Sequence, residues 1–346
     1  MLASVVEPMQ NPDGSLDVSE VRTIIDDLAE TLVVPSFTRI GYDLRRRLFQ
    51  WQPLGDLSLH GRAAAVTGAT SGLGEVTATA LARMGSRVLL IARDREKAEG
   101  TRLRIVGATG NEDLAVYIGD LSELSAVRRL VGEIRRREAR LDVLINNAGS
   151  LLTERRTSHD GYEMTFATMV LGPFALTSGL LPLLEQSDDA RIITVTSGGM
   201  YTQALRLDDL QMEREPYVGT VAYARAKRAQ VVLTRLWAAR QRGTTVVVNA
   251  MHPGWADTPG IQAALPRFRR LMGPLLRSPE QGADTIVWLA SSAEAAGSTG
   301  KLWLDRRPRA FDRFAHTRVS AQEAHRLWDT CLELTARHGG CIVSGP

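Results

Sequence analysis

The sequence predicts an α/β fold, a mostly parallel sheet covered by helices on both faces. Three observations carry that reading. Segments with strand and helix character alternate over roughly 200 residues. The strand segments are short and apolar without strict polar alternation, the pattern of strands buried on both sides. The glycine-rich "VTGATSGLG", Val66 to Gly74, falls where the first strand should become a helix.

The elements follow in order. Residues 1–58 read as an N-terminal extension, expected to be helical, ahead of a main domain over 59–309. "GRAAAVTGA" from Gly61 is a buried strand entering the glycine turn, and "EVTATALARMG" is the helix after it. "SRVLLIAR" is a second strand and "REKAEGTRLRIVG" a second helix. "LAVYIGDL" and "LDVLINNAG" are two more strands, separated by the helical "ELSAVRRLVGEIRRREAR". "GYEMTFATMVLGPFALTSGLLPLL" is a helix, "ARIITVTSGG" a strand and "VAYARAKRAQVVLTRLWAARQR" a long helix. "TTVVVNAMHPGW" is a strand entering a proline- and glycine-rich loop. Residues 310–346 read as a C-terminal helical extension that packs back on the domain.

Composition bounds the function. The 346 residues are 44 % hydrophobic and 23 % charged, enough for a large globular core. A net charge of +3, from 42 basic and 39 acidic residues, gives no case for nucleic-acid binding. Cys331 and Cys341 form no CxxC pair, so no disulfide framework and a cytoplasmic setting are expected. His325, Cys331, His338 and Cys341 match no compact metal site, and no metal is expected. The N-terminus reaches polar and acidic residues too early for a signal peptide. No uninterrupted apolar run of about 18 residues predicts a spanning helix. "TLVVPSFTRIGYDLRRRLF" leaves two readings open, an accessory helix packed on the protein and a peripheral membrane contact.

The glycine turn carries the first chemistry. Gly68, Gly72 and Gly74 let the backbone turn and approach a phosphate closely, and amides at the helix start attract its charge. Thr70, Ser71 and Leu73 complete that cradle. The spacing G-x-x-x-G-x-G differs from the usual dinucleotide fingerprint, and a purely structural turn is the alternative. The strand–turn–helix setting favours a dinucleotide. Arg93 ends the second strand, where an arginine pairs with a 2′-phosphate, so NADP is preferred. NAD stays open because Asp94 follows. Asp120, with Leu121 beside it, is placed to meet the adenine edge, or else to cap the next helix.

Taken together, "TGATSGLG" at 67–74, "NNAG" at 146–149, Ser197 in "TVTSGG", "YARAK" at 223–227 and "HPGWADT" at 252–258 resemble the short-chain dehydrogenase/reductase family, over about residues 60–305. "TSGGM", "YARAKRAQVVLTRLWA", "QGADTIVWLA" and "FTRIGYDLRRR" narrow the resemblance to its member 12 type, an orphan subgroup. The resemblance implies a three-layer Rossmann-like fold with strand order 3-2-1-4-5-6-7 and NAD(P)-dependent interconversion of carbonyls and alcohols. It implies Tyr223 as acid/base, with Lys227 and Ser197 as its catalytic partners. It places Asn147, Ala148, Gly149, Pro253, Gly254 and Thr258 at the cofactor, together with Tyr223 and Lys227, and gives Asn146 an architectural role.

The chemistry agrees with those roles. A phenol has a pKa near ~10, and a cationic lysine favours its anion. Helical positions four apart share a face, so Lys227 can approach both Tyr223 and a bound ribose. Ser197 can donate a hydrogen bond to the substrate oxygen. In isolation, YxxxK is an ordinary helix surface; the upstream turn and serine make it a catalytic pair.

Two departures stand out. Met169, followed by Val170, occupies the position where the family often has an active-site asparagine, and a methionine side chain cannot hold that residue's water. Plain packing of the helix face also explains it. The long segment "MYTQALRLDDLQMEREPYVGT" between Ser197 and Tyr223 is either a pocket rim or a surface excursion. Beyond Trp255, "IQAALPRFRRLMGPLLRSPE" lies where a substrate lid would, with apolar residues to line a site and arginines to face water. A lipophilic carbonyl or alcohol is the expected substrate. An NADP-preferring oxidoreductase is therefore the leading reading. The rivals are an NADP(H)-binding sensor or scaffold with little turnover, and a nucleotide-dependent epimerase or lyase. A homo-oligomer is compatible with all three.

Overall fold

A computed structural model describes residues 17–337. Three helices come first: α1 (Val18–Thr31), α2 (Val33–Phe37) and α3 (Arg39–Leu48). The expected alternation follows as β1 (Ala63–Thr67), α4 (Gly72–Arg83), β2 (Arg87–Ala92), α5 (Arg95–Thr109), β3 (Leu114–Ile118), α6 (Leu124–Arg137) and β4 (Val143–Asn146). Next come α7 (Met164–Phe166), a π-helical turn over Ala167–Leu171, α8 (Gly172–Leu184), β5 (Ala190–Val195), α9 (Gly219–Arg240) and β6 (Val246–Met251). The chain finishes with α10 (Pro259–Ala264), α11 (Pro266–Met272), α12 (Pro279–Ser291), α13 (Ala293–Ala296), β7 (Leu302–Leu304), β8 (Arg307–Arg309) and α14 (Ala321–Arg337).

The strands form one sheet in the order β3-β2-β1-β4-β5-β6-β7-β8, parallel throughout except for the last pair. The first seven positions match the order that the family resemblance implies. Strand side chains alternate between two apolar layers. Ala65, Leu89, Leu144 and Ile192 face α6, α8, α9 and α14 through Leu130, Leu180, Trp237 and Trp328. Ala64, Leu90, Ile145 and Ile193 face α4 and α12 through Leu81 and Trp288. The α14 helix docks by Trp328, whose ring lies 4.9 Å from Phe174 and 4.7 Å from Trp237. Cys331 is buried on the same helix, while His338 and Cys341 lie outside the described residues. Among the described residues, Met164–Leu184 is long and apolar enough to cross a membrane, but 83 % of its most apolar window is buried in the core.

The sequence did not announce β8, because "RPR" has no apolar signature. Asp305 and Arg306, both at φ +55, make the two-residue turn between β7 and β8. Positive φ at both positions is the geometry of a tight hairpin turn, one usually built with glycine or asparagine. Here ion pairs hold it. Asp305 bonds Arg45 at 2.7 Å and Arg277 at 2.6 Å, and Arg306 bonds Asp284 at 2.7 Å. Arg45 also reaches Asp26 at 2.6 Å and Glu30 at 3.0 Å, and Arg309 of β8 reaches Asp26 at 2.9 Å. Helices α1–α3 thus lie against the β8 edge of the sheet. Of the "RRR" run, Arg45 is fully buried and Arg46 and Arg47 face water.

Candidate active site

The C-terminal ends of β1, β4, β5 and β6 open on one edge of the sheet, where the strand order reverses between β1 and β4. After β1, Gly68 and Gly72 adopt φ +66 and +55, as a left-handed turn requires. A Cβ on Gly74 would overlap the Gly68 carbonyl, so the turn and α4 pack backbone to backbone. Ser71 is the N-cap of α4, yet its side chain caps no amide. The first amides of that helix are therefore left without a side-chain acceptor, which suits a phosphate. By contrast, Asp94 caps α5 through the Lys97 amide at 3.1 Å.

The segment after β4 is tied to this turn. The Thr67 hydroxyl accepts the amides of Asn147 at 2.9 Å and Ala148 at 3.0 Å. The Asn147 side chain donates to the Thr67 carbonyl at 2.9 Å. Asn146 instead stays inside the sheet, with its amide nitrogen on Thr177 at 3.1 Å. The two asparagines of "NNAG" therefore divide the work, one in the core and one at the cavity.

Ser197 caps the turn after β5, where its oxygen accepts the Gly199 amide at 3.3 Å. Tyr223 and Lys227 share one face of α9, with the ammonium 5.5 Å from the phenol ring centre. Lys227 is buried, and the one hydrogen-bond partner of its ammonium among the described residues is the Val195 carbonyl at 2.7 Å. Two of its three hydrogens stay available for ribose hydroxyls. Burial holds the Lys227 pKa down to about 7 and pushes that of Tyr223 up, against a smaller lowering by the Ser197 side chain. Desolvation thus opposes ionisation of both groups, the setting in which an added charge or hydrogen bond has most effect.

Met169 lies fully buried in the π-helical turn. Its sulfur and the Lys227 ammonium flank Gly149 together, at 3.5 Å and 3.7 Å from where a Cβ would stand. The Met169 carbonyl accepts a hydrogen bond from Gln230 at 2.7 Å. Gln230 lies one turn beyond Lys227 on α9, and sequence reasoning passed it over. Its partner is a backbone carbonyl, which leaves no residue pattern.

Ser197, Tyr223 and Lys227 border a cavity of about 390 Å³, together with Leu73, Asn147 and Gly149. Leu151, Trp255, Ile261, Leu265 and Phe268 form much of its apolar wall, and Pro253, Gly254 and Thr258 complete one side. Trp255 is part of that wall, edge-on to Phe268 at 5.1 Å. Arg267, Arg269 and Arg270 face water, and Arg269 pairs with Asp257 at 2.9 Å. The segment between Ser197 and Tyr223 reaches the cavity with Gly199, Thr202 and Thr220, while Arg206, Asp208 and Glu215 pair at its surface.

Gly68, Thr70, Ser71, Gly72, Arg93, Asp120 and Leu121 lie outside the cavity lining, on the side of β1–β3. Arg93 is exposed at the end of β2 with no hydrogen bond or ion pair among the described residues, and Asp94 is occupied by its helix. The Asp120 carboxylate takes the amide and hydroxyl of Ser122, at 2.8 and 2.7 Å. It does not cap α6; Asp160 does, accepting the Leu124 amide at 2.6 Å from a distant loop.

The short chain dehydrogenase family matches residues 62–267. Dehydrogenase/reductase SDR family member 12 of Homo sapiens is 45 % identical over 273 residues, covering 79 % of this chain and 85 % of that protein. Retinol dehydrogenase 14 of Homo sapiens is 36 % identical over 295 residues, covering 78 % of this chain and 85 % of that protein. Among solved structures, the Pseudomonas aeruginosa RhlG/NADP active-site complex is 29 % identical and covers 73 % of this chain and 96 % of that one, with a TM-score of 0.60.

Proposed function

This chain belongs to the short-chain dehydrogenase/reductase family of NAD(P)-dependent oxidoreductases, and from that premise we propose that it interconverts a lipophilic carbonyl and its alcohol with NADP as the preferred cofactor. The observation that carries this reading is the convergence of Ser197, Tyr223 and Lys227 on one cavity with an apolar far wall. The NADP named in the RhlG complex and the retinol in the name of a relative support cofactor and substrate class.

NADPH, when bound, supplies the hydride for carbonyl reduction. Gly68, Thr70, Ser71, Gly72, Leu73 and Gly74 would cradle its pyrophosphate, and Arg93 its 2′-phosphate. Asp120 and Leu121 would flank the adenine, with Asn147, Ala148, Gly149, Pro253, Gly254 and Thr258 towards the nicotinamide. Tyr223 Oη donates the proton that the substrate oxygen takes up. Lys227 Nζ, while charged, favours the resulting phenolate. Ser197 Oγ–H donates to the same oxygen and orients it.

Tyr223→Phe keeps the ring and removes the proton. Purified and folded, that variant is expected to lose nearly all NADPH consumption with lipophilic aldehydes and ketones while binding NADPH as the parent does. Turnover near the parental rate in the variant would sink the assignment. Tight NADPH binding by the parent with no turnover on any carbonyl would favour the sensor reading, whose warrant is Met169.

The extension supports peripheral contact with a bilayer. Val18, Val21, Ile25 and Leu28 recur at helical spacing along the outer face of α1, Leu32 follows at its C-cap, and Ile40 and Leu44 are further exposed apolar residues on α3. Arg39, Arg46 and Arg47 are exposed on α3, where they suit anionic headgroups. The full chain is expected to sediment with anionic liposomes, and Leu28→Asp combined with Leu32→Asp is expected to release it. Equal sedimentation of both proteins would refute this contact.

A further inference from the structure

The junction of α2 and α3 runs behind both loops that carry the site. Three successive carbonyls of this strap are bonded to the part of the chain after β6. Ser36 O accepts from Arg277 Nη2 at 2.8 Å, Phe37 O from the Trp255 amide at 2.7 Å and Thr38 O from Arg277 Nε at 3.2 Å. The same guanidinium donates to Pro253 O at 3.2 Å and is fixed by Asp305 at 2.6 Å. Gly254, at φ +69, has no room for a side chain. A Cβ there would lie 2.6 Å from both Phe37 O and Arg277 Nε.

The Phe37 ring turns the other way, toward the serine. It is 3 % exposed and packs with Met200 and Tyr201 of the turn that follows Ser197. A Cβ on Gly198 would overlap its Cε2. Its ring centre is 4.8 Å from that of His252 and 5.9 Å from that of Trp255. One side chain therefore touches the residue after Ser197 on one side and the loop leading to Pro253 and Thr258 on the other.

We propose that Phe37 is a positioning residue for the reaction, setting the spacing between the Ser197 turn and the Pro253–Trp255 loop, so that the N-terminal extension completes the active site. Phe37 acts through those two loops and lines no part of the cavity. An offset of about 1 Å between reacting groups can cost on the order of a hundredfold in rate, so a spacer of this kind is read in turnover before it is read in folding. The inference rests on the carbonyl-reductase reading.

The test uses the full chain with Phe37→Ala, Phe37→Leu and, as a control in the remote core, Leu180→Ala. Turnover of NADPH with a lipophilic aldehyde, NADPH affinity and thermal midpoint are measured for each. Phe37→Ala is expected to lower kcat about ten- to a hundredfold well below its thermal midpoint. Phe37→Leu, which restores most of the volume, gives a smaller loss in the same direction and carries the test by itself if the alanine variant does not fold. Leu180→Ala is expected to lose as much thermal stability with kcat unchanged. Gly198→Ala is expected to harm turnover less in the Phe37→Ala background than in the parent, because the overlapping ring is gone. A kcat within twofold of the parent in both Phe37 variants overturns the proposal, as does a kcat loss in Leu180→Ala that matches theirs. If the parent reduces no carbonyl, the reductase reading fails by itself and NADPH affinity decides. A tenfold weakening in the Phe37 variants, absent from Leu180→Ala, then supports the positioning role, and an unchanged affinity overturns it.

Discussion

Replacing Asp305 by asparagine removes a charge from the buried cluster while keeping its shape. Asp305 is 1 % exposed and accepts from Arg45 Nη1 at 2.7 Å and from Arg277 Nη1 and Nη2 at 2.6 and 2.8 Å. Its backbone, at φ +55, is one that asparagine also adopts readily, so the turn itself contributes little to the difference. Arg45 would retain Asp26 and Glu30, but Arg277 would keep only neutral acceptors, with no anionic partner among the described residues. Removing one partner of a buried ion pair costs about 3–5 kcal/mol, because the other charge stays buried without compensation. At roughly 2–4 °C per kcal/mol, the thermal midpoint should fall by about 6–20 °C. The pH dependence has a definite sign. Burial raises the Asp305 pKa, while Arg277 and Arg45 pull it down by more, leaving it below the ordinary value of 3.8. Its contribution is therefore present above that ordinary value and is lost as pH falls through the native one. Thermal unfolding of both proteins, at pH 7 and in steps toward pH 3, checks this. The difference should be large at pH 7 and shrink in acid. A loss under about 1 kcal/mol at pH 7, or a pH-independent difference, would show that the Asp305 charge does not hold the cluster.

Two further predictions concern single side chains. His252 is fully buried, and neither ring nitrogen has a hydrogen-bond partner among the described residues. His252→Leu should raise stability by about 1–2 kcal/mol in urea unfolding at pH 7, and a loss of stability there would count against it. Burial first, then Arg277, lowers the His252 pKa to about 3. Below about pH 6.5 the unfolded chain takes up a proton that the native state does not, so the parent should lose about 1.4 kcal/mol per pH unit through this residue, a slope absent from the leucine variant. Arg93→Ala should raise KM for NADPH about ten- to a hundredfold and leave KM for NADH nearly unchanged. Equal effects on both cofactors would remove Arg93 from the 2′-phosphate site.

What could be read from residue order alone was local. Strand and helix alternation, the glycine turn and the Tyr223–Lys227 spacing each occupy a few consecutive positions, and each has a geometric consequence that holds in almost any context. Arg45 shows the opposite case. Within "RRR" it is indistinguishable from its exposed neighbours, and its burial is decided by Asp26 nearby and Asp305 far along the chain. Asp160 caps a helix that starts 36 positions before it, so no capping pattern could reveal it. Met169 was visible as a departure, but its π-helical setting and the bond to its carbonyl from Gln230 of α9 involve the backbone, which carries no residue pattern. The strap at Phe37 was hidden because its bonds are made by backbone carbonyls, which every residue carries.

The bond between Arg45 and Asp305 joins positions 260 apart. A ribosome adds about 5–20 residues per second, so the extension emerges on the order of ten to fifty seconds before Asp305 does. Over that interval Arg45 can pair with Asp26 and Glu30 of its own segment, but Asp305 and the β8 edge that these helices lie against are still to be made. Helices α1–α3, made before the sheet, therefore seat after it, their closure waiting for the β7–β8 hairpin. A nascent polypeptide halted before residue 305 would hold its central strands but could not seat its own beginning.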